Sequence, residues 1–184
     1  QLESRLNDEF DLIVVEGGLP AKARNNGAKR VETPYILFLD SDMFILDNNL
    51  LTDSIKFMVS REVDLLTTKV RTTNGKYNYV FRMFDIIQRI TKPISPFCLG
   101  GFMLVKTNKF NQIGGFDENA MVAEDYLLSK QIKGSRFKIL NRVIYTPPRR
   151  FDNKGIIYMT KLMLSSFINR NNKDYFKNHN TYWK

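Results

Sequence analysis

Short runs that are apolar almost throughout recur along this chain and constrain its fold more than any other feature. They are DLIVVEGG (11–18), YILFLD (35–40), VDLLTTKV (63–70) and GFMLVKT (101–107). A strand with one wet face alternates polar and apolar side chains, so these runs describe strands covered on both sides. The stretches between them change period. NNLLTDSIKFMVSR (48–61) brings Leu50, Leu51, Ile55 and Met58 to one side of a helix. YNYVFRMFDIIQRI (77–90) reads as an aromatic-rich helix, with core the main role of Tyr77, Phe81 and Phe84 and a share in a binding surface their alternative. NKFNQIGGF (108–116) reads as a short helix and turn, and AEDYLLSKQIK (123–133) as a helix. FKILNRVIYT (137–146) supplies one or two closing strands, and Pro20 suits the first turn of a helix through residues 21–31, against which Gly27 weighs. Strands alternating with helices imply an α/β fold, a Rossmann-like, mainly parallel sheet with helices on both faces. Ligands of such sheets sit beyond the carboxyl ends of the strands.

At 43% hydrophobic and 26% charged, 184 residues suit one globular domain and exclude a disordered chain. The one cysteine, Cys98, excludes an internal disulfide, fits a reducing setting and reads as a small buried hydrophobe. The opening QLESRLNDEFD has no secretory character, and no uncharged apolar run approaches the roughly 20 residues that span a bilayer. The chain opens on Gln rather than Met, as a piece of a longer protein would.

The run YILFLD ends on the first of two carboxylates, Asp40 and Asp42, separated by Ser41. Two acids on a loop leaving a buried strand repel each other unless a counter-charge joins them. A hard divalent cation, Mg²⁺ or Mn²⁺, would do so, and it takes oxygen ligands. The spacing alone equally describes turn or helix-capping acids.

The neighbouring motifs carry a resemblance. ARNNGAKRVETPYILFLDSD resembles the nucleotide-sugar-binding stretch of family 2 glycosyltransferases of the GT-A fold, and CLGGFMLVKTNKFNQIGGFDENAMVAEDYLLSKQIKGSRFKIL is similar to their acceptor-side and catalytic stretch. PPRRFDNKGI is similar to an Arg-rich segment of membrane-associated members. The resemblance covers about residues 11–156 and implies a metal-dependent transfer of sugar from a nucleotide-diphosphate sugar to a saccharide hydroxyl or a polyprenyl phosphate, with inversion. It implies Asp40 near the ribose and metal, Asp42 on the metal, and Arg24 near the nucleotide or its phosphates. Gly17 and Gly18 would line that pocket, and Gly100 and Gly101 would let backbone approach the sugar or acceptor. Asp125 would be the general base with Glu124 beside it; the plainer reading of both acids is complementing a helix N-terminal dipole. The sequence departs from the family in preceding DLIVVEGG with at most ten residues, where a strand and helix usually stand, and in carrying Glu16 where Asp is frequent.

Residues 133–184 hold twelve bases against Asp152 and Asp174, whereas the residues before them carry a net charge of −1. We therefore divide the chain into a transferase-like domain, 1–150, and a basic amphipathic helical segment, 151–184. The segment reads either as packed on the domain or as a peripheral membrane contact with its bases at anionic headgroups. Arg149 and Arg150 are candidates for a forked phosphate clamp. His179, the only histidine, reads as a surface residue. The setting implied is cytoplasmic, at the inner face of a membrane if the basic end meets lipid. The alternative function is an inactive transferase-like domain serving as a basic membrane- or nucleic-acid-binding module; nucleic acid is the weaker branch, since no recognition motif accompanies the bases.

Overall fold

A computed structural model describes residues 10–178; His179 lies outside them. In chain order the elements are α1 (Pro20–Ala28), β1 (Tyr35–Leu39), α2 (Leu50–Arg61), β2 (Leu65–Thr72), α3 (Asn78–Thr91), β3 (Phe102–Lys106), α4 (Thr107–Gln112), α5 (Glu124–Ser129), β4 (Phe137–Thr146), α6 (Arg149–Lys154), α7 (Ile156–Ile168) and α8 (Lys173–Lys177). A 3-10 turn at Gly134–Arg136 leads into β4.

The four strands form one sheet in the order β1-β3-β2-β4. β1, β2 and β4 run one way, and β3 runs against them, antiparallel to both β1 and β2. The reversal follows from the connection. α3 ends beside Gly134, at the end of the sheet where β4 begins. Residues 92–101 then climb to the opposite end, where Phe102 pairs with Leu39, so β3 must run back down. FKILNRVIYT forms a single strand whose register with β2 shifts between Thr68 and Lys69, leaving Asn141 and Arg142 exposed.

Side-chain alternation gives the sheet two core faces, and a third, smaller cluster of Phe97, Ala120, Val122, Tyr126 and Phe176 lies apart from them. Leu66 and Val70 of β2 with Phe102 and Leu104 of β3 face a layer formed by α2, α3, α6 and α7. Ile36 and Phe38 of β1 with Met103 and Val105 of β3 face α1, α4 and α5. Both faces are thus covered, which is why β1 and β3 carry so little polar residue. Tyr77, Phe81 and Phe84 are buried, as a core role requires, and so is Cys98. Phe151 and Met159 of the basic segment enter the first cluster, so α6 and α7 pack on the domain.

The run DLIVVEGG corrects an expectation: residues 11–17 form no strand, and Leu12 and Val14 are 44% and 71% exposed. A β-branched run becomes a strand only when its backbone pairs with another strand, and this run joins no described ladder, so β1 remains an edge of the sheet.

Gly134 sits where a Cβ would overlap the carbonyl oxygen of Lys92. Backbone cannot yield as a side-chain tip can, so Gly134→Ala is expected to destabilise the domain by about 1–3 kcal/mol, read by urea unfolding.

Candidate active site

Four segments meet at the carboxyl end of β1. The strand delivers Asp40, and a tight turn closed by the Met43 N–H on the Asp40 carbonyl carries Ser41 and Asp42. Residues 97–101 arrive beside it on the way into β3, and α5 opens with Glu124 and Asp125 after Ala123, which holds φ at +56°. α1 contributes Arg24 and Asn25.

Arg24 is the centre of the arrangement. Its Nη1 donates to Glu124 Oε1 at 2.7 Å, and its Nη2 to Asp40 Oδ1 at 2.5 Å and to the Gly100 carbonyl at 3.4 Å. The guanidinium also lies 5.4 Å from the centre of the Phe116 ring. Its side chain is only 11% exposed. Burial works against its charge, but Asp40 and Glu124 more than offset this and raise its pKa beyond the ordinary arginine value. The residue expected near a nucleotide or its phosphates thus ties the D-S-D turn to the E-D pair across the sheet end.

Asp125 stands next to that tie. A Cβ built on Gly100 would lie 3.1 Å from both Asp125 Oδ2 and Arg24 Nη2, so only glycine leaves these groups undisturbed. Burial, then the neighbouring Glu124 charge, pushes the Asp125 pKa up to about 7, while Arg24 and the Tyr126 N–H work in the opposite direction. A partly buried carboxylate with that proton affinity has the character of a general base operating near neutrality.

Asp42 has a different partner. Its Oδ2 accepts from Arg149 Nη2 at 2.7 Å, and that arginine, at the start of α6, is 63% exposed. The counter-charges that the acid pair demands therefore come from two arginines on separate elements. Among the described residues no group of three or more metal-type side chains converges. Mg²⁺ or Mn²⁺ nonetheless binds through one or two carboxylates completed by phosphate oxygens and water. Two hard oxygen donors, one paired only to an exposed arginine that can turn away, fit a cation arriving with a diphosphate.

The other expected residues divide. Gly101 lies against Met43, whose flexible tip a Cβ would displace. Arg150 is exposed beside Arg149. Gly17 and Gly18 are exposed, and a Cβ at either would meet nothing within 4 Å among the described residues. Sequence reasoning missed Asn25, one residue beyond Arg24 in the same R-N-x-G stretch. Its Nδ2 donates to the Phe116 carbonyl and to Glu118 Oε1, and its Oδ1 accepts from the Phe116 N–H, each at 2.9 Å. That two-way amide clamp fixes the GGFDE turn to α1.

A family model described as "Glycosyl transferase family 2" matches residues 4–114. The poly(ribitol-phosphate) beta-N-acetylglucosaminyltransferase TarS of Staphylococcus aureus strain Mu50 is 27% identical over 152 residues, which is 77% of this chain and 26% of TarS; the protein of strain MW2 matches equally. This chain thus spans about a quarter of the length of those relatives. Among solved structures, the mannosyltransferase PcManGT of Pyrobaculum calidifontis, in complex with GDP-Man and Mn²⁺, superposes with a TM-score of 0.57 at 16% identity, covering 79% of this chain and 43% of that one. Residues 1–349 of S. aureus TarS superpose with a TM-score of 0.51 at 23% identity, covering 72% of this chain and 41% of that one. These likenesses assign the GT-A fold.

Proposed function

The chain belongs to glycosyl transferase family 2, and from that premise we propose that it moves a sugar from a nucleoside-diphosphate donor to an acceptor hydroxyl with inversion. The observation that carries the reading is the Arg24 bridge, which holds the D-S-D turn, the Gly100 backbone and the E-D pair at one end of the sheet.

In the reaction, Asp125 accepts the acceptor hydroxyl proton as that oxygen attacks the anomeric carbon. The bond from that carbon to the diphosphate breaks, and the diphosphate leaves with the bonding electrons. A single base facing the leaving group from across the sugar gives inversion. Asp40 and Asp42 would hold Mg²⁺ or Mn²⁺, which when bound supplies Lewis-acid neutralisation of the diphosphate charge. Arg149 exchanges Asp42 for a phosphate oxygen, with Arg150 beside it in the clamp. Glu124 keeps Arg24 in place, and Gly100 and Gly101 leave room for the sugar or acceptor. PcManGT was solved with GDP-Man and Mn²⁺, which supports a nucleotide sugar and a divalent ion here. A saccharide hydroxyl is the proposed acceptor for this step; a polyprenyl phosphate, the alternative acceptor, would attack through an ionised phosphate oxygen and need no base.

Residues 1–150 form the catalytic unit in this reading, with 151–184 a basic extension that makes peripheral contact at the inner face of a membrane. No described helix is long and apolar enough to cross one; α7 instead turns Ile157, Leu164 and Ile168 outward beside Lys161. The second reading, an inactive basic module, draws on the 11–18 segment, which is largely exposed and whose residues 11–17 form no strand.

Diphosphate release from a panel of nucleotide sugars with Mn²⁺ separates the two. Asp42→Ala is expected to abolish Mn²⁺-dependent nucleotide binding measured by calorimetry, and Arg149→Ala to weaken it by about tenfold, as loss of one charge-assisted contact would. Equal binding by wild type and Asp42→Ala would remove the metal role from this turn.

A further inference from the structure

We propose that the outward face of α3, together with that of α7, docks on an anionic lipid surface. α3 buries Val80, Phe81, Phe84 and Gln88 beneath it. It turns Tyr79, Met83, Ile86 and Ile90 to solvent at 62%, 40%, 59% and 70% exposure, and Ile94 follows just past its end at 83%. Those positions recur at intervals of three and four, so they make one stripe along the helix. One exposed apolar residue is ordinary, but five in line form a patch that marks a contact. α7 covers the same face of the sheet and repeats the pattern with Ile157, Leu164 and Ile168 at 70%, 50% and 73%.

Charge selects the occupant. Arg82 and Arg89 on α3 and Lys161 on α7 are exposed, and none pairs with a carboxylate among the described residues. The one acid of α3, Asp85, is bound by Arg71 of β2 at 2.5 Å, and α7 has no acid. An apolar and cationic face without carboxylates would set like charges together in a second copy of this chain. It complements a bilayer with anionic headgroups, where apolar side chains enter the headgroup boundary and arginine stems lie along it with their heads at phosphate. No described helix is long and apolar enough to cross a membrane, so a contact through these stripes would be peripheral.

The inference deepens the peripheral contact proposed for the C-terminal segment and differs in giving the larger part to α3. Sedimentation with phosphatidylcholine vesicles, with and without phosphatidylglycerol, tests it on the whole chain. Wild type is expected to sediment with the anionic vesicles at low salt and to remain in solution with neutral ones. Arg82→Gln and Arg89→Gln should each lower the partition about fivefold, the value of one basic residue near such a surface. Ile86→Glu with Ile90→Glu should abolish binding without lowering the melting temperature, since both side chains are exposed. If that pair binds normally while Ile157→Glu with Leu164→Glu does not, the C-terminal contact stands and the role of α3 is overturned. Wild type staying in solution with every vesicle overturns both. A wild-type dimer by light scattering that Ile86→Glu with Ile90→Glu disperses assigns the face to a second copy instead.

Discussion

Asp125→Asn is expected to lower turnover by about 10²–10⁴-fold, the usual contribution of a general base, while nucleotide binding is unchanged. The same substitution should raise the melting temperature near neutral pH, because base strength and stability oppose each other at this position. Burial and the adjacent Glu124 lift the folded pKa of Asp125 to about 7 from an ordinary carboxylate value near 4. Below pH 4 both folded and unfolded chains carry the proton and the group makes no difference. Between about pH 4 and 7 the folded form holds a proton that the unfolded form has released, so stability falls as pH rises through that window. Above pH 7 the buried charge costs its full amount. Asparagine keeps the shape and removes the charge, and each kcal/mol recovered is worth about 2–4 °C in a chain of this size. Melting curves of the two proteins should converge at acid pH and separate as pH rises to 7. The wild-type rate should rise with pH through an apparent pKa near 7, since only the ionised base takes the acceptor proton. A wild-type rate independent of pH across that range would take the base role from Asp125.

Arg24→Met should produce the largest loss of stability, about 3–5 kcal/mol, as expected when one member of a buried ionic cluster is removed and its partners stay behind. Asp40, Glu124 and Asp125 would then share the sheet end with no guanidinium between them, and Gly100 would lose its side-chain contact. Methionine fills much of the arginine stem, so the deficit is one of charge rather than volume. Without the guanidinium, Asp125 loses the neighbouring positive charge that holds its proton affinity down. The variant should therefore regain stability as pH falls, and lose it as pH rises. Urea unfolding at pH 5 and pH 8 would read this as a smaller gap from wild type at the lower pH. An equal gap at both pH values would mean that Arg24 acts by packing alone. Arg24→Lys should recover only part, because one ammonium cannot reproduce a fork that serves Glu124 through Nη1 and Asp40 through Nη2.

Much of the fold was legible because strand and helix signals are local. YILFL, DLLTTKV and FMLV became β1, β2 and β3, and the helical spacing of residues 48–61 and 77–90 became α2 and α3. The acids D-S-D and E-D were legible as well, since each stands next to a strand end or helix start that the surrounding pattern defines. Two features were not legible. DLIVVEGG has the composition of a buried strand, yet a strand forms only by pairing, and composition is silent about which segment would pair with it. GFMLV reads identically in either direction, so only the climb of residues 92–101 reversed β3.

What the sequence determined by itself was the class of the fold, the positions of its strand ends, and the kinds of chemical group placed there. What only tertiary structure decided was which charge meets which. Arg24 lies 16 residues from Asp40 and 100 from Glu124, and Arg149 lies 107 from Asp42. Periodicity describes the path of the backbone over a few turns. Ion pairs and ladders form between segments brought together only when the whole sheet closes, and that is the step at which the scattered acids meet their arginines.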